Sequence, residues 1–390
     1  MSESAARVCI VGAGPAGLAC AIALARAGCR VTAIDCATPP IDKSCGEGLL
    51  PDSIAALRQL GIELPPDAGF ALEGIRFSNQ RSSVHANFPN GKGRGIRRTA
   101  LHDLLVHHAQ QEQISLLWGA KHVELDERGI ALNGKLIPAD FVIGADGQNS
   151  RIRAQAGLGR VIKERRRYGF RRHFRLAPWS SSVELHWGPK CQIYITPVAP
   201  DEVCVALISC HPGLRLTQAL ASFPELRERL ATAAPLSSEL GAVTLSRTLH
   251  RVTAQRVALV GDASGSVDAI TGQGMCLAFD QALALADALS HGRIERYQNH
   301  HRELMKRPQR MASVLRALAQ HRPLERRALG ALAHRPELFE SLVAIHVGAS
   351  PVSKLCSWRL LDFGLAFLGE SRPNAGRACQ FARPSKKASC

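Results

Sequence analysis

The residues that most restrict what this chain can fold into are Gly12-Ala13-Gly14-Pro15-Ala16-Gly17. An apolar, strand-forming run, Arg7–Val11, leads into them, and strong helix formers over Leu18–Ala27 lead out. A second strand-like run, Arg30–Ile34, then ends in Asp35. Strand, glycine turn, helix and strand in this order is the setting in which a Gly-x-Gly-x-x-Gly motif cradles a dinucleotide. Gly12 permits the tight turn, Gly14 lets a pyrophosphate approach the backbone, and Gly17 lets the helix pack on the strand. Pro15 and Ala16 open the helix, whose free N–H groups and positive dipole end favour an anion. Asp35 stands where a carboxylate can accept both hydroxyls of an adenosine ribose, and its charge disfavours a 2′-phosphate. This motif alone leaves FAD and NAD both open.

Two later segments repeat the pattern of a strand that ends in glycine and aspartate. Ala139–Ile143 runs into Gly144-Ala145-Asp146-Gly147. Arg256–Val260 runs into Gly261-Asp262-Ala263-Ser264, followed by Thr271-Gly272-Gln273-Gly274-Met275 and an alanine- and leucine-rich helix through Leu289. Such a helix start can stabilise negative charge on a reduced flavin.

With these three ordered motifs, the chain resembles the flavoprotein superfamily of para-hydroxybenzoate hydroxylase and geranylgeranyl reductase over roughly residues 7–290. The resemblance implies an α/β fold: a Rossmann-like FAD-binding domain, an inserted mixed β-sheet substrate domain and C-terminal helices. Its expected divisions are FAD-binding segments at 1–72, 95–160 and 251–292, substrate-domain strands at 73–94 and 161–250, a helical region at 293–370 and a tail at 371–390. It implies that Gly12–Gly17 and Asp35 hold the ADP half of FAD. Asp262, after Gly261, would hold the ribityl and pyrophosphate side, and Gly272, Gln273, Gly274 and Met275 would lie against the flavin ring. Asp146 and Gly147 would belong to a strand motif serving FAD and NAD(P)H. Arg98, with Arg97 as its one-residue rival, resembles the family's Arg-x-x-Leu helix start. Val123, in an expected strand over 120–125, resembles the residue that meets the adenine, although an ordinary sheet valine fits equally well.

Two catalytic candidates follow from the same resemblance. Lys43-Ser44-Cys45-Gly46-Glu47-Gly48 is similar to the reductases' Cys-Gly-x-Gly loop, which places Cys45 beside the flavin, with a structural turn as the competing reading. Lys43 and a helix start would favour the Cys45 thiolate, and Glu47 would disfavour it. Tyr194, in Tyr194-Ile195-Thr196-Pro197, is similar to the reductases' Tyr…Pro strand end, but a core strand residue is the commoner meaning. The reaction stays divided. NADH- or NADPH-driven hydroxylation of a hydrophobic aromatic or polyketide-like molecule leads narrowly. Reduction of carbon–carbon double bonds follows, favoured by Gly265, Asp268, Cys276 and the Cys45 loop.

The other features narrow the classes. A composition of 46% hydrophobic and 21% charged residues excludes wholesale disorder. No secretory signal or membrane-length apolar run is visible, so a cytoplasmic protein is expected. Twelve cysteines without a CxxC pair read as reduced thiols, several in apolar runs (Cys9, Cys20, Cys204), and no metal site is expected. A net charge of +16 favours anions, but without a recognition motif for nucleic acid. Its densest run, Arg165 to His173, is expected to be a basic edge strand that resists pairing. After Ser290 the chain reads as short helices punctuated by Pro323 and Pro336. Leu355, Trp358, Leu361, Leu365 and Leu368 form an apolar stripe that fits the core or, alternatively, peripheral membrane contact.

Overall fold

The computed structural model describes residues 5–354. The apolar stripe at 355–368 and the tail beyond it lie outside the described residues. The strands that carry the three glycine motifs lie side by side in one six-stranded sheet. Phe141–Gly144 and Arg30–Ile34 flank Arg7–Val11, and Val257–Leu259 flanks Phe141–Gly144. These four are parallel, and Val11 is level with Ile34 and Gly144, as Gly144 is with Leu259. The turns that follow them therefore leave the sheet at the same edge. Strand order reverses at Arg7–Val11, and a crevice outside such a switch point is where open α/β sheets bind ligands. The helices Pro15–Arg26, Arg98–Gln111 and Gly274–Ser290 share one core with the sheet, including Ile10, Leu18, Leu101, Ile143 and Phe279.

The expected strand at 120–125 begins only at Val123, because His122 takes a left-handed backbone (φ 53°) that interrupts extended structure. Val123–Asp126 then joins Gly129–Leu132 and Lys135–Pro138 in a small antiparallel sheet.

A second, eight-stranded sheet contains Gly74–Ser78, Ser83–Asn87, Ser182–Gly188, Cys191–Ala199 and Glu202–Ser209. Its basic strand, Val161–Arg175, is an edge only before Tyr168. Tyr168–Arg175 pairs with Glu202–Ser209, and residues 161–171 pair with Leu240–Leu249 on the other side. Acids bring the inward-facing arginines into the sheet: Arg167 meets Asp268 at 3.2 Å, and Arg171 meets Asp42 at 2.7 Å. Before Tyr168 the strand is paired only with Leu240–Leu249, and residues 161–166 are exposed.

Three helices close the second sheet. The expected run of short helices begins instead with one long helix, Ile294–Gln320, which passes straight through Pro308. Proline forfeits one ladder hydrogen bond there, but it is buried in the same stripe as Met305, Ala312 and Leu315. Arg322–His334 and Pro336–His346 follow, each with a proline in its first turn. Leu315, Leu329, Leu332, Phe339 and Val343 share a core with Ile75, Val183 and Leu185 of the sheet.

Candidate active site

A single continuous cavity of about 1050 Å³ runs from the shared edge of the first sheet to the space beneath the three C-terminal helices. At its first end the lining includes Gly12, Gly14, Pro15 and Ala16 from the first turn and Asp35 from the next strand. Asp146 and Gly147 come from the second motif, and Gly261, Asp262, Gly272, Gly274 and Met275 from the third. Val123 and Arg98 line it too, as do Cys45 and Tyr194.

The backbone of this end is shaped for a ligand. A Cβ at Gly14, Gly272 or Gly274 would meet nothing within 4 Å, so bare backbone faces open space at all three. Gly12 and Gly17 are the reverse case: a Cβ would run into the Ala145 carbonyl at Gly12, where φ is +105°, and into the Gly12 carbonyl at Gly17. No side chain caps the Pro15–Arg26 helix, whose first N–H groups are thus available to an anion. Asp35 braces the turn, accepting from Ala13 N at 2.7 Å and Ala37 N at 2.9 Å. Arg98 Nε and Asp146 Oδ1 are buried without partners, an unsatisfied donor and acceptor. A polar, elongated cofactor fits this lining. Lys43 reaches Asp262 at 2.9 Å across it. Arg97, the rival of Arg98, instead pairs with Glu202 at 2.6 Å and does not line the cavity.

Two of the expected cofactor residues do not line the cavity. Gly17 packs helix on turn, as its mechanical role required. Gln273 is 1% exposed and donates to the His346 carbonyl at 2.6 Å, so its side chain serves the packing between helices.

The Cys45 loop is held from behind by Glu47, only 1% exposed and in a left-handed backbone (φ 57°). Its carboxylate accepts from Arg98 N at 3.0 Å and meets His173 Nε2 at 2.6 Å and Arg171 at 3.3 Å. Its own N–H donates to Cys45 Sγ at 3.4 Å. Glu47, His173 and Cys204 bring ligand atoms within 4.8 Å of one another, a cluster that no sequence spacing revealed. Arg171 already supplies positive charge there, doubly bonded to Asp42.

Toward the second end several polar groups bond within the protein, while Thr196 Oγ1, Asp268 Oδ2 and His346 Nδ1 are buried without partners. Tyr194 donates to the Ile270 carbonyl, and burial pushes its pKa up, so it stays a neutral phenol. His346 Nε2 donates to the Thr271 carbonyl at 3.0 Å, and burial pushes its pKa down to about 4. Asp268 is tied to Arg167 and Ile270 N. Beyond these groups the lining is apolar, with Ile75, Phe77, Leu315, Leu332, Phe339 and Val343 among its members.

Two supporting groups escaped the sequence reading, apart from Cys276, which the resemblance had singled out. His102, fully buried, sits with Nε2 2.9 Å from the Ala13 carbonyl and so donates to it, steadying the first glycine turn. Asp52, Cys276, Asp280 and Arg307 gather behind the third motif. Burial raises Asp280 to about 6, with the Asp52 charge adding to it, and Cys276 donates to its carboxylate at 3.5 Å. His102, Asp52 and Arg307 come from three other helices with no motif around them, so only Cys276 was in view.

Comparison with known proteins fits this geometry. The FAD binding domain family matches residues 5–214. The chain is 29% identical over 316 residues to a menaquinone reductase of Mycobacterium tuberculosis, covering 74% of this chain and 77% of that protein. It is 30% identical over 298 residues to digeranylgeranylglycerophospholipid reductase 2 of Methanopyrus kandleri, covering 69% and 72%. Among solved structures, a flavoprotein/dehydrogenase from Cytophaga hutchinsonii superposes with a TM-score of 0.76 at 18% identity, over 88% of this chain and 93% of that one. With its three motif strands in one sheet and more than half its length matched, the chain belongs to the FAD binding domain family and is an FAD-dependent oxidoreductase.

Proposed function

We propose that this oxidoreductase reduces carbon–carbon double bonds in a long apolar substrate of the prenyl type, with NADH or NADPH as the electron source. The observation that carries the reading is the continuity of the cavity, polar and glycine-lined at one end, apolar beneath the C-terminal helices at the other. A prenyl chain needs burial, at roughly 25 cal/mol per Å² of apolar surface, and few hydrogen bonds. A phenolic hydroxylation substrate needs a base or a fixed acceptor. Tyr194 is spent on the Ile270 carbonyl, and most of the lining beyond Asp268 and His346 is apolar. This reverses the narrow lead of hydroxylation in the sequence. One observation still favours that second reading: Asp268 Oδ2 and His346 Nδ1, in the lining and without partners, could accept from a phenolic hydroxyl.

In this reading Gly12, Gly14, Pro15 and Ala16 take the pyrophosphate of FAD at the helix start, Asp35 its adenosine ribose, and Val123 the neighbourhood of the adenine. Arg98 and Asp262 hold the ribityl and phosphate side, Lys43 giving up Asp262 to the cofactor. Asp146, Gly147 and Gly261 complete the backbone wall, and Gly272, Gly274 and Met275 border the ring. Bound FAD supplies the hydride equivalent. The protein orients the double bond, keeps water out and holds a proton near the second carbon. Cys45, in the cavity lining, is the candidate for that proton, positioned by the Glu47 N–H and the buried network behind it. Tyr194 is committed to Ile270 and supports the wall.

The reading is tested by anaerobic turnover with a polyprenyl substrate and either nicotinamide. Reductant consumption with a product heavier by two hydrogens is expected. Oxygen uptake stimulated by substrate, with an oxygen atom added to the product, overturns it. Asp262→Ala should purify with little or weakly held flavin. Cys45→Ser should keep its flavin and slow product formation.

A further inference from the structure

The roof of the apolar cavity has an unusual outer face. From residue 304 to residue 335 the chain carries eight arginines and lysines and one acid, Glu325. That acid is buried, accepts from Asn79 Nδ2 at 2.6 Å and offsets only the nearby Arg322 and Arg326. Lys306, Arg310 and Val314 follow one another at four-residue spacing on the Ile294–Gln320 helix and are all exposed. Val314 both lines the cavity and is 58% exposed, which places it on the rim of an opening. Met311 and Leu315 beside it line the interior.

The other side of this rim is also basic. Ala242 and Thr244 of the Leu240–Leu249 strand line the cavity. The helix meets this strand where Gln309 Nε2 donates to Thr248 at 3.2 Å. Lys163 lies level with Thr248 and Arg165 with Ser246, both exposed, and Arg165 is close enough to Arg316 to depress its pKa, after burial itself. Glu164 in this ribbon is already paired with Arg247 at 2.6 Å. At the end of the ribbon where Val161 pairs with Leu249 stand Val161 and Ile162, 40% and 65% exposed. Lys306 is paired with Glu303 at 2.6 Å and Arg307 with Asp52 at 3.3 Å, but the net charge of this face stays positive. Exposed apolar side chains sit among its cations beside the opening of an apolar channel. Among the described residues no helix is long and apolar enough to cross a membrane.

We infer that this rim docks on an anionic lipid surface, with Lys163, Arg165, Arg310 and Arg316 on the headgroups and Val314 and Ile162 reaching the acyl boundary. Cations near such a surface contribute attraction that decays within a Debye length, and exposed apolar residues add short-range burial. Nucleic acid would use the charge but leaves the apolar rim and the channel behind it without purpose. The docked orientation sets the cavity mouth against the lipid, so an apolar substrate passes from bilayer to channel without crossing water. Only that passage rests on the proposed reduction of a lipophilic substrate; the docking stands on charge and exposure.

The test uses the full-length flavin-loaded protein and flotation with vesicles, either phosphatidylcholine alone or an equimolar mixture with phosphatidylglycerol. Binding to the mixture, little binding to phosphatidylcholine, and release at about 1 M salt are expected, where the Debye length falls to about 3 Å. Arg165→Glu with Arg310→Glu should weaken vesicle binding by about tenfold or more, with flavin absorbance unchanged. Equal binding to both vesicles, no binding, an unaffected double variant, or displacement from the vesicles by a DNA duplex at matched phosphate each overturns the docking. Turnover of detergent-dispersed polyprenyl substrate separates the two ideas. Its absence removes the proposed reaction and leaves docking intact, whereas turnover in detergent without vesicle binding removes docking alone.

Discussion

The two ends of the cavity are built from different materials. The cofactor end is made of backbone: Gly12, Gly14, Gly272 and Gly274 present peptide groups that a side chain would cover or displace. The substrate end is made of interchangeable apolar side chains from the second sheet and three helices, such as Ile75, Leu315, Leu332 and Phe339. Backbone walls demand particular residue types at fixed spacing. Side-chain walls demand only volume and apolarity. The first end should therefore fail abruptly under small substitutions, and the second should change what it accepts while the cofactor stays.

The largest expected effect is at Gly12. Gly12→Val puts a branched side chain on a left-handed backbone and into the Ala145 carbonyl. Overpacking costs about 1–3 kcal/mol, and a branched residue at positive φ roughly 1–2 more. The variant should purify colourless or misfold, read by the ratio of flavin to protein absorbance. Full flavin occupancy would break the distinction between the two ends.

Glu47→Ala comes next. It leaves Arg171 and His173 without their shared carboxylate, and removing one partner of a buried ion pair costs about 3–5 kcal/mol. Chemical denaturation should register that loss. Glu47→Gln, which keeps the bonds to Arg98 N and His173 in part, should recover some of it. If Cys45 depends on this bracing, the glutamine variant lowers kcat more than it raises KM. A pure change in stability, with kcat unmoved, would confine Glu47 to folding.

These two sites also show what the sequence could and could not tell. The parallel sheet was legible because each motif strand ends in a glycine turn, the later two with an aspartate beside it, and their level C-termini follow from parallel pairing. The Arg165–His173 run misled because strand alternation shows which side chains share a face but not which acids await them; Asp42, Glu47 and Asp268 are distant in sequence. His102, with no motif around it, was invisible for the same reason. Pro308 was not foreseen inside a long helix, since burial of its ring offsets the lost hydrogen bond only in the folded molecule. The apolar chamber left no trace beyond ordinary core periodicity.

A cavity-filling change probes the second end directly. Leu332→Phe extends an apolar side chain into open volume far from the glycine turns. Flavin content should be unchanged, and kcat/KM for a long prenyl substrate should fall about tenfold, equivalent to about 1.4 kcal/mol. A short-chain analogue should be little affected. Equal losses for both chain lengths would mean that the substitution disturbs the cofactor end and that the two ends are one unit.

The smallest effect is expected where the two ends meet, at the acid cluster behind Gly274. Burial, aided by the Asp52 charge, raises the Asp280 pKa from 3.8 to about 6, against the opposing hydrogen bond from Cys276 and the charge of Arg307. Between these values the folded protein keeps a proton that the unfolded chain has released, so stability falls as pH rises through that window. Above about pH 6 the cost of ionised Asp280 is fully present, and below about pH 4 it is absent. Asp280→Asn removes the charge while keeping the shape. Discounted for partial exposure, it should stabilise the fold by roughly 1 kcal/mol at pH 8. The gain should vanish toward pH 4, as urea denaturation across that range would record. Because Asp52 and Cys276 would then face a neutral neighbour, the start of the flavin-side helix should settle without any change in the apolar chamber. A gain that persists undiminished at pH 4 would trace to packing instead, and the acid cluster would no longer be a point of electrostatic strain between the two ends.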